Sequence, residues 1–214
     1  MIKNLFSIPI YHTHFDCPSN IMEGMMRYAE EFYYKNKEDI EGYGGLTGDQ
    51  DIPKFFLLQH NKEFYWLNYV ISQSMKDYLS QISDLEYNIF VQKAWTTVCN
   101  SQEGKTSHHT HRGSHFSAVY YLRTEGEGGE LAFSNLGVLD SMPVTLRDEY
   151  SYYKIDPQVG DLIIFPSSML HGVTDFYGEQ FRASIVYDIF VTSTENVDDQ
   201  YENVVTSPSK WIQI

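Results

Sequence analysis

The chain has 214 residues, of which 42% are hydrophobic, enough to bury the core of one sizeable domain. It carries 29 acidic and 15 basic residues, a formal net charge of −14. A field of that sign repels phosphate backbones and anionic membranes, so the charge argues against binding nucleic acid through a broad basic surface.

The cysteine content and the N-terminal sequence predict the cellular compartment. There are two cysteines, Cys17 and Cys99, and no CxxC motif, so we expect no disulfide framework and a reducing cytosol. The first 16 residues lack the continuous apolar segment of a secretory signal peptide. No apolar run approaches the length of about 20 residues that a membrane-spanning helix needs. We therefore expect a cytoplasmic protein without a membrane partner.

The N-terminal part of the chain predicts one strand followed by helices. Residues 1–16 have the composition of an opening strand. Apolar residues at three- and four-residue spacing then predict a helix from Ser19 to about Asn36. A glycine-rich loop follows at 42–52, and a second apolar stripe predicts a helix over about 62–82.

After Asp84 the sequence changes to short segments rich in β-branched and aromatic residues, separated by turn signals such as EGEGG and PQVGD. Many short strands predict an all-β sandwich, jelly roll or barrel. A long loop is expected at 136–149. We divide the single domain 1–214 into a strand and helical support region 1–84, a β core 85–192 and an acidic tail 193–214.

Four of the eight histidines lie in the stretch HHTHRGSH, just before the strand-like segment SAVYYL. Residues i and i+2 of a strand point to the same side, so His109 and His111 present two imidazoles to one face, with His108 pointing away. Two such imidazoles form adjacent corners of a facial metal site. His171 is the other histidine of the β region and a candidate third ligand. HxH alone is a weak signal, because a solvated histidine-rich loop also contains it.

Arg182 follows His171 by eleven residues, in the segment FRASIVYD, and shares a strand face with Ser184 and Val186. An inward-facing arginine in an apolar strand needs an anionic partner. That partner is either a structural Asp or Glu or a bound dicarboxylate, and the residues alone leave both open.

Several motifs together resemble the Fe(II)/2-oxoglutarate-dependent dioxygenases. In chain order they are H-x-H, a Tyr-Tyr-Leu strand, GG-x-L-x-F, GD-x-x-x-FP, a distal His and Arg-x-Ser. A little-characterised branch is closer, because it opens with LF-x-x-P, as in NLFSIPI, and has a core like H-x-H-x-x-S-x-x-S-x-x-Y-Y. The resemblance is tightest over about 91–192. It implies a mainly β fold, a double-stranded β-helix (jelly roll, cupin-like) with N-terminal α-helices packed on it.

The resemblance implies that His109 and His171 are iron ligands. At position 111 most of the superfamily has Asp or Glu, whereas this chain has His111. A carboxylate offsets one charge of Fe(II), and a third imidazole offsets none. We favour His111 as the third ligand. The alternatives are an open coordination position or a nearby acid such as Glu130.

The resemblance also implies a cosubstrate site. Arg182 matches the position that binds the distal carboxylate of 2-oxoglutarate, and Tyr121 and Ser184 match positions that add hydrogen bonds. The implied cofactors are therefore Fe(II) and 2-oxoglutarate.

Other candidate residues are assigned by their position in the pattern. Four aromatic residues are expected around the mouth of the site or in the core: Trp95, Phe116, Tyr121 and Phe133. His115 has a spacing from His111 that suits a helix better than an extended segment, which argues against a place in the site. His12 and His14 repeat the HTH motif and are expected to face solvent. Cys99 is expected in the core rather than in the pocket.

The predicted function is a non-haem Fe(II), 2-oxoglutarate-dependent dioxygenase, a hydroxylase of an unidentified small-molecule or peptide substrate. One rival is a three-histidine oxygenase that does not use 2-oxoglutarate, in which Arg182 pairs with a protein acid or binds the substrate. The other is a non-catalytic cupin-like module that binds a metal or ligand. Loops 42–52 and 136–149 are expected to select the substrate.

Overall fold

The computed structural model describes residues 7–43, 45–47, 57–102, 104–134, 152–193 and 212–214. The helices in these ranges are α1 (Ser19–Lys35), α2 (Lys37–Tyr43) and α3 (Tyr65–Ile82), with 3₁₀ turns at Leu58–His60 and Lys62–Phe64. The strands are β1 (Tyr11–His14), β2 (Gly45–Thr47), β3 (Tyr87–Cys99), β4 (Gly104–His109), β5 (Phe116–Arg123), β6 (Glu127–Gly128), β7 (Leu131–Ser134), β8 (Tyr152–Ile155), β9 (Asp161–Pro166), β10 (Leu170–Tyr177), β11 (Arg182–Ser193) and β12 (Ile212–Gln213).

The strands form two antiparallel sheets. The larger has the order β1-β9-β5-β11-β3-β12, with β2 also paired to β3, and the smaller has the order β4-β10-β7-β8, with β6 paired to β10. From β3 to β11 the chain crosses repeatedly between the sheets, with β3, β5, β9 and β11 in one and β4, β7, β8 and β10 in the other. This alternation is the double-stranded β-helix that the family resemblance implied.

The two faces of the larger sheet are covered differently. Ala183, Ile185 and Tyr187 of β11 belong to a core cluster with the buried stripes of α1 and α3. The Tyr187 hydroxyl donates a hydrogen bond to Oδ1 of Asn68 on α3, at 2.9 Å. Val186 points the other way, into a second cluster with residues of the smaller sheet. Alternation along one strand therefore separates the helix-covered core from the space between the sheets, where the pocket described below lies.

The predicted helices are confirmed with shifted ends. The first occupies α1, which ends one residue before the predicted boundary. Its buried stripe consists of Gly24, Met25, Ala29, Phe32 and Tyr33. The second begins as the 3₁₀ turn at residue 62 and becomes α-helical at residue 65. None of the described helices combines the length and apolar character that crossing a bilayer requires.

Both flanking regions contribute a strand to the larger sheet. β1 pairs with β9, and β12 pairs with β3 through Ile212 and Val91. Within the predicted loop 42–52, α2 ends at residue 43 and β2 follows at residues 45–47. The predicted loop 136–149 lies outside the described residues, as does most of the predicted tail.

His12 and His14 are exposed, as expected, and both also contact one carboxylate. His12 Nε2 lies 3.1 Å from Asp161 Oδ2, and His14 Nδ1 lies 3.0 Å from Asp161 Oδ1. The register of β1 against β9 pairs His14 with Asp161 directly. Asp161 also accepts a hydrogen bond from the backbone N–H of Gln158, at 2.9 Å. These two histidines therefore tie the N-terminal strand to the sheet.

The His14–Asp161 contact predicts a pH-dependent contribution to stability. The hydrogen bond to Asp161 raises the pKa of His14, so the stability it contributes is present below about pH 6.5 and is lost as the pH rises through the raised value. Burial alone would raise the pKa of Asp161, but bonds from Gln158 and His14 hold it below its ordinary value. Its contribution is present above about pH 4 and is lost as the pH falls through the lowered value.

We expect His14→Gln to lower the free energy of unfolding more at about pH 5.5 than at about pH 8.5, because His14 carries its charge only at the lower pH. Urea unfolding of both proteins at both pH values measures this difference. An equal effect at the two pH values would mean that the contact acts without the histidine charge.

Candidate metal and anion site

The three histidines predicted as metal ligands lie together. His109 of β4 and His171 of β10 are direct partners in the smaller sheet. His111 lies just beyond β4, where its backbone N–H donates to the carbonyl of Ser167, at 2.9 Å. One ligating nitrogen of each ring lies within 4.8 Å of those of the other two. This is the convergence that a facial metal site requires.

Each of these rings is held through Nδ1. His109 Nδ1 lies 2.8 Å from the carbonyl oxygen of Ser107, and His171 Nδ1 lies 2.8 Å from that of Met169. Carbonyl oxygens only accept hydrogen bonds, so Nδ1 carries the proton in both rings and Nε2 keeps its lone pair. Because the backbone fixes these two tautomers, two Nε2 atoms are ready to bind a cation.

Asp188 fixes the tautomer of His111 by accepting a hydrogen bond from its Nδ1. His111 Nδ1 lies 2.6 Å from Asp188 Oδ1, so its Nδ1–H donates to the carboxylate. His111 Nε2 then faces His109 Nε2 at 3.0 Å. Two nitrogens that both present lone pairs cannot hydrogen-bond to each other, whereas a cation beside both is attracted to both. The donor set therefore fits a divalent metal that accepts imidazole.

Burial keeps two of the histidines in the form that binds metals. It lowers the pKa of His171 to about 3 and also lowers the pKa of His109. The neutral imidazole is the metal ligand, so neither side chain has to lose a proton near neutral pH.

Asp188 is a site residue that sequence reasoning missed. Its side chain is fully buried, with Lys93 Nζ 2.9 Å from Oδ2. Burial alone would raise its pKa, but the hydrogen bond from His111 and the charge of Lys93 hold the pKa below its ordinary value. A signal was available, because Asp188 continues the i+2 face that begins at Arg182 in the segment RASIVYD.

Three serines surround the His111–Asp188 contact. The Ser117 hydroxyl lies 3.1 Å from His111 Nδ1 and 3.3 Å from Asp188 Oδ1. Its oxygen lies 2.8 Å from Ser167 Oγ, which accepts a hydrogen bond from the Ser114 hydroxyl, at 3.0 Å. Two of these serines belong to the H-x-H-x-x-S-x-x-S motif, which therefore supports one ring of the cluster.

A pocket joins the histidines to the predicted cosubstrate residues. Its lining includes the three histidines together with Arg182, Tyr121 and Ser184. Trp95 also lines it, one of the two places expected for it, whereas Phe133 packs beside it in the core between the sheets. Phe116 lies at the helix-covered core, the second of the two places expected for it, and its ring packs against Tyr78 of α3, 5.4 Å between centroids.

Arg182 is buried in this pocket without an ionic partner among the described residues. Its side chain is 1% exposed, and its Nε and Nη1 atoms have no hydrogen-bond partner there. The guanidinium carbon lies 5.0 Å from the centre of the Tyr121 ring, and the Tyr121 hydroxyl is also unpartnered. A buried cation and a buried hydroxyl left in this way fit an anionic ligand.

The backbone leaves room for the guanidinium at Gly129. This residue has φ +74, and an added Cβ would lie 3.1 Å from Arg182 Cδ and 2.9 Å from Phe176 Cδ2. Glycine adopts this conformation without strain and clears the side chain. On the opposite strand Cys99 is fully buried beside Arg182, in agreement with its expected place in the core.

Glu130 and His115 are occupied elsewhere. The Glu130 carboxylate accepts a hydrogen bond from the Thr174 hydroxyl and does not join the described metal-ligating group. The His115 ring stacks on Phe190, 3.9 Å between centroids, and accepts a hydrogen bond from the N–H of Val191. Neither side chain competes with the three histidines in this structure.

Comparison with known proteins gives a family match over the segment that carries the site. Residues 93–188 match the family described as "Putative 2OG-Fe(II) oxygenase". This range contains every residue of the histidine cluster, the Asp188–Lys93 pair and the predicted cosubstrate site. No curated protein matches the sequence.

Solved structures share the fold at low identity. The non-heme α-ketoglutarate-dependent epimerase SnoN from nogalamycin biosynthesis is 11% identical, with a TM-score of 0.60 over 96% of this chain and 93% of that chain. A Trichoplax adhaerens prolyl hydroxylase in complex with a peptide fragment is 14% identical, with a TM-score of 0.55 over 85% and 83%. Streptomyces hygroscopicus HygX, with nickel and 2-oxoglutarate bound, is 10% identical, with a TM-score of 0.54 over 86% and 83%.

The fold, the histidine cluster and the family match agree with one another. Over residues 93–188 the chain is similar to the 2OG-Fe(II) oxygenases, an enzyme class whose cofactors are Fe(II) and 2-oxoglutarate.

Proposed function

We propose that this protein is an Fe(II)/2-oxoglutarate-dependent dioxygenase that hydroxylates a small molecule or a peptide. One observation carries the proposal: three converging imidazoles and an unpaired buried guanidinium line the same pocket. The imidazoles fit a divalent metal, and the guanidinium fits the far carboxylate of a dicarboxylate that reaches the metal with its other end.

The metal would be held by Nε2 of His109, His111 and His171. Three protein ligands on one side leave the remaining positions of an octahedron for 2-oxoglutarate and oxygen. When bound, Fe(II) and 2-oxoglutarate together supply the oxygen activation that hydroxylation needs. The chain's own contribution is to fix the three rings through Nδ1 and to bury the pocket between two sheets.

The distal carboxylate of 2-oxoglutarate would be held by Arg182, with hydrogen bonds from Tyr121 and Ser184. All three side chains are buried, and Ser184 directly opposes Tyr121 across β11 and β5. Burial raises the pKa of Tyr121 to about 12, so its hydroxyl keeps its proton and can donate to a carboxylate. An arginine fork with one added hydroxyl donor is well suited to a carboxylate.

The substrate class follows from what proteins of the same fold accept. The similar Trichoplax prolyl hydroxylase was solved with a peptide, and HygX was solved with hygromycin B. Neither identifies the substrate of this chain, and we propose only a small molecule or a peptide.

Two rivals differ in what Arg182 does. A three-histidine oxygenase that does not use 2-oxoglutarate requires a protein acid or the substrate beside Arg182, and no acid pairs with it among the described residues. A non-catalytic binding module requires no turnover. The unpaired guanidinium therefore favours the 2-oxoglutarate-dependent enzyme over a three-histidine oxygenase in which Arg182 pairs with a protein acid.

Anaerobic titration with Fe(II) and then 2-oxoglutarate tests the proposal. We expect a weak visible charge-transfer band only when both are present, because it requires 2-oxoglutarate bound to the metal. On admission of oxygen, succinate should form slowly alone and faster with the right member of a panel of peptides and metabolites. A band without succinate would favour the binding module, and bound Fe(II) without a band would favour the first rival.

A further inference from the structure

We infer that Asp188 is a positioning residue that gives the metal, through His111, the negative charge that most of the resembled enzymes place on the metal as a ligand. The inference rests on the proposed function. It accounts for the departure at position 111, where a neutral imidazole replaces a carboxylate. In this chain the Asp188 carboxylate is not itself a ligand of the proposed metal. It lies behind the His111 ring, which stands between the carboxylate and the metal.

The geometry directs the charge of Asp188 at the ring. Asp188 Oδ1 lies 2.6 Å from His111 Nδ1, and the opposite nitrogen of the same ring faces the cluster. A carboxylate that accepts the Nδ1–H of a ligating histidine fixes its tautomer and makes Nε2 a stronger donor. The Asp188 side chain is fully buried, so water does not screen this effect.

Lys93 explains how a carboxylate stays ionised at this depth. Its Nζ lies 2.9 Å from Asp188 Oδ2, the oxygen turned away from His111, and 4.8 Å from the centre of the Trp95 ring. The two charges therefore form a dipole whose negative end points at His111. A carboxylate without such a partner would be protonated in a buried site and could not deliver its charge.

A buried ion pair with a purely structural role would look similar, so the test must separate the two. The separating feature is the dependence on position 111. If Asp188 replaces the charge of a missing carboxylate ligand, it should increase metal affinity when residue 111 is histidine. It should no longer increase metal affinity when residue 111 is aspartate.

The experiment measures metal affinity in four proteins: wild type, Asp188→Asn, His111→Asp and the double variant. Anaerobic Fe(II) titration is the readout, and Co(II) spectra report whether the coordination is kept. In the wild-type background we expect Asp188→Asn to weaken binding by about 10- to 100-fold, because asparagine keeps the shape but not the charge. In the His111→Asp background the same change should leave the affinity equal or raise it, because two carboxylates would otherwise repel each other.

Two further variants keep the test decisive. Asp161→Asn is the matched control, since Asp161 is a buried carboxylate bonded to two histidines outside the pocket, and its loss should leave metal affinity unchanged. If Asp188→Asn fails to fold, Asp188→Asn with Lys93→Met removes both charges together and should show the same loss of affinity.

The outcomes separate this inference from the proposed function. Failure of the wild type to bind Fe(II) would overturn the proposed function and the inference with it. Tight binding by the wild type with an equal loss in both backgrounds, or with no loss from Asp188→Asn, would overturn the inference alone.

Discussion

Replacing His171 with alanine should weaken Fe(II) binding by at least about a hundredfold, equivalent to about 2.8 kcal/mol. His171 is the most buried of the three histidines, and the Met169 carbonyl fixes its Nε2 towards the cluster. Alanine leaves two imidazoles, and among the described residues no other metal-ligating side chain joins the cluster. Anaerobic Fe(II) titration measures the loss directly. The melting temperature should rise with Fe(II) for the wild type and stay constant for the variant, because only a bound ligand stabilises the folded state.

His108→Ala is the matched control. His108 belongs to the same histidine-rich stretch but is exposed, and its ring packs near Tyr152, 5.7 Å between centroids. Its loss removes one imidazole from the region without touching the cluster, so Fe(II) affinity should match the wild type. A His171→Ala variant that binds Fe(II) as tightly as His108→Ala would place the metal elsewhere.

The histidine cluster was predictable because its signals are local. The period of two puts His109 and His111 on one side, and His171 needed only the ordered motifs of the resemblance to join them. Arg182 was predictable for the same reason, since its apolar strand neighbours mark it as inward-facing. The fold class followed from many short strands and the turn signals between them.

The contacts that escaped prediction are long-range pairings. Asp188 is 77 positions from His111, and only the register of β11 beside β5 brings the carboxylate to Ser117 and the ring. The contacts of His12 and His14 with Asp161 depend in the same way on β1 pairing with β9. The sequence pattern predicts which face of a strand each side chain occupies. It does not predict which residue from a distant part of the chain contacts that side chain.

The choice between the two places expected for Phe116, the mouth of the site and the core, follows from the local period of two. Phe116 and Tyr121 are five positions apart on one strand, an odd number, so they point to opposite faces. Tyr121 lines the pocket, and Phe116 therefore packs against α3. The alternation of side chains along β5 is therefore enough to assign Phe116 to the core.

Replacing Arg182 should produce opposite effects on 2-oxoglutarate binding and on stability. Arg182→Ala or Arg182→Met should weaken 2-oxoglutarate binding by at least about a hundredfold, because losing one partner of a buried charge pair costs roughly 3–5 kcal/mol. Fe(II) affinity should stay unchanged, since Arg182 is not part of the metal-ligating group. Arg182→Lys should recover only part of the affinity, because an ammonium lacks the two-pronged geometry that matches a carboxylate.

Stability without ligand should change in the other direction for Arg182→Met. In the unliganded protein the guanidinium is buried with unpaired nitrogens, a cost of about 1–3 kcal/mol or more for each buried group left unsatisfied. Methionine fills similar space without that cost, so the free energy of unfolding should rise, whereas Arg182→Ala also leaves a cavity. Urea unfolding of the apoprotein and titration of 2-oxoglutarate into the Fe(II)-loaded protein give the two measurements. A less stable Arg182→Met protein with unchanged 2-oxoglutarate affinity would mean that Arg182 pairs with a protein group, and would favour the oxygenase that does not use 2-oxoglutarate.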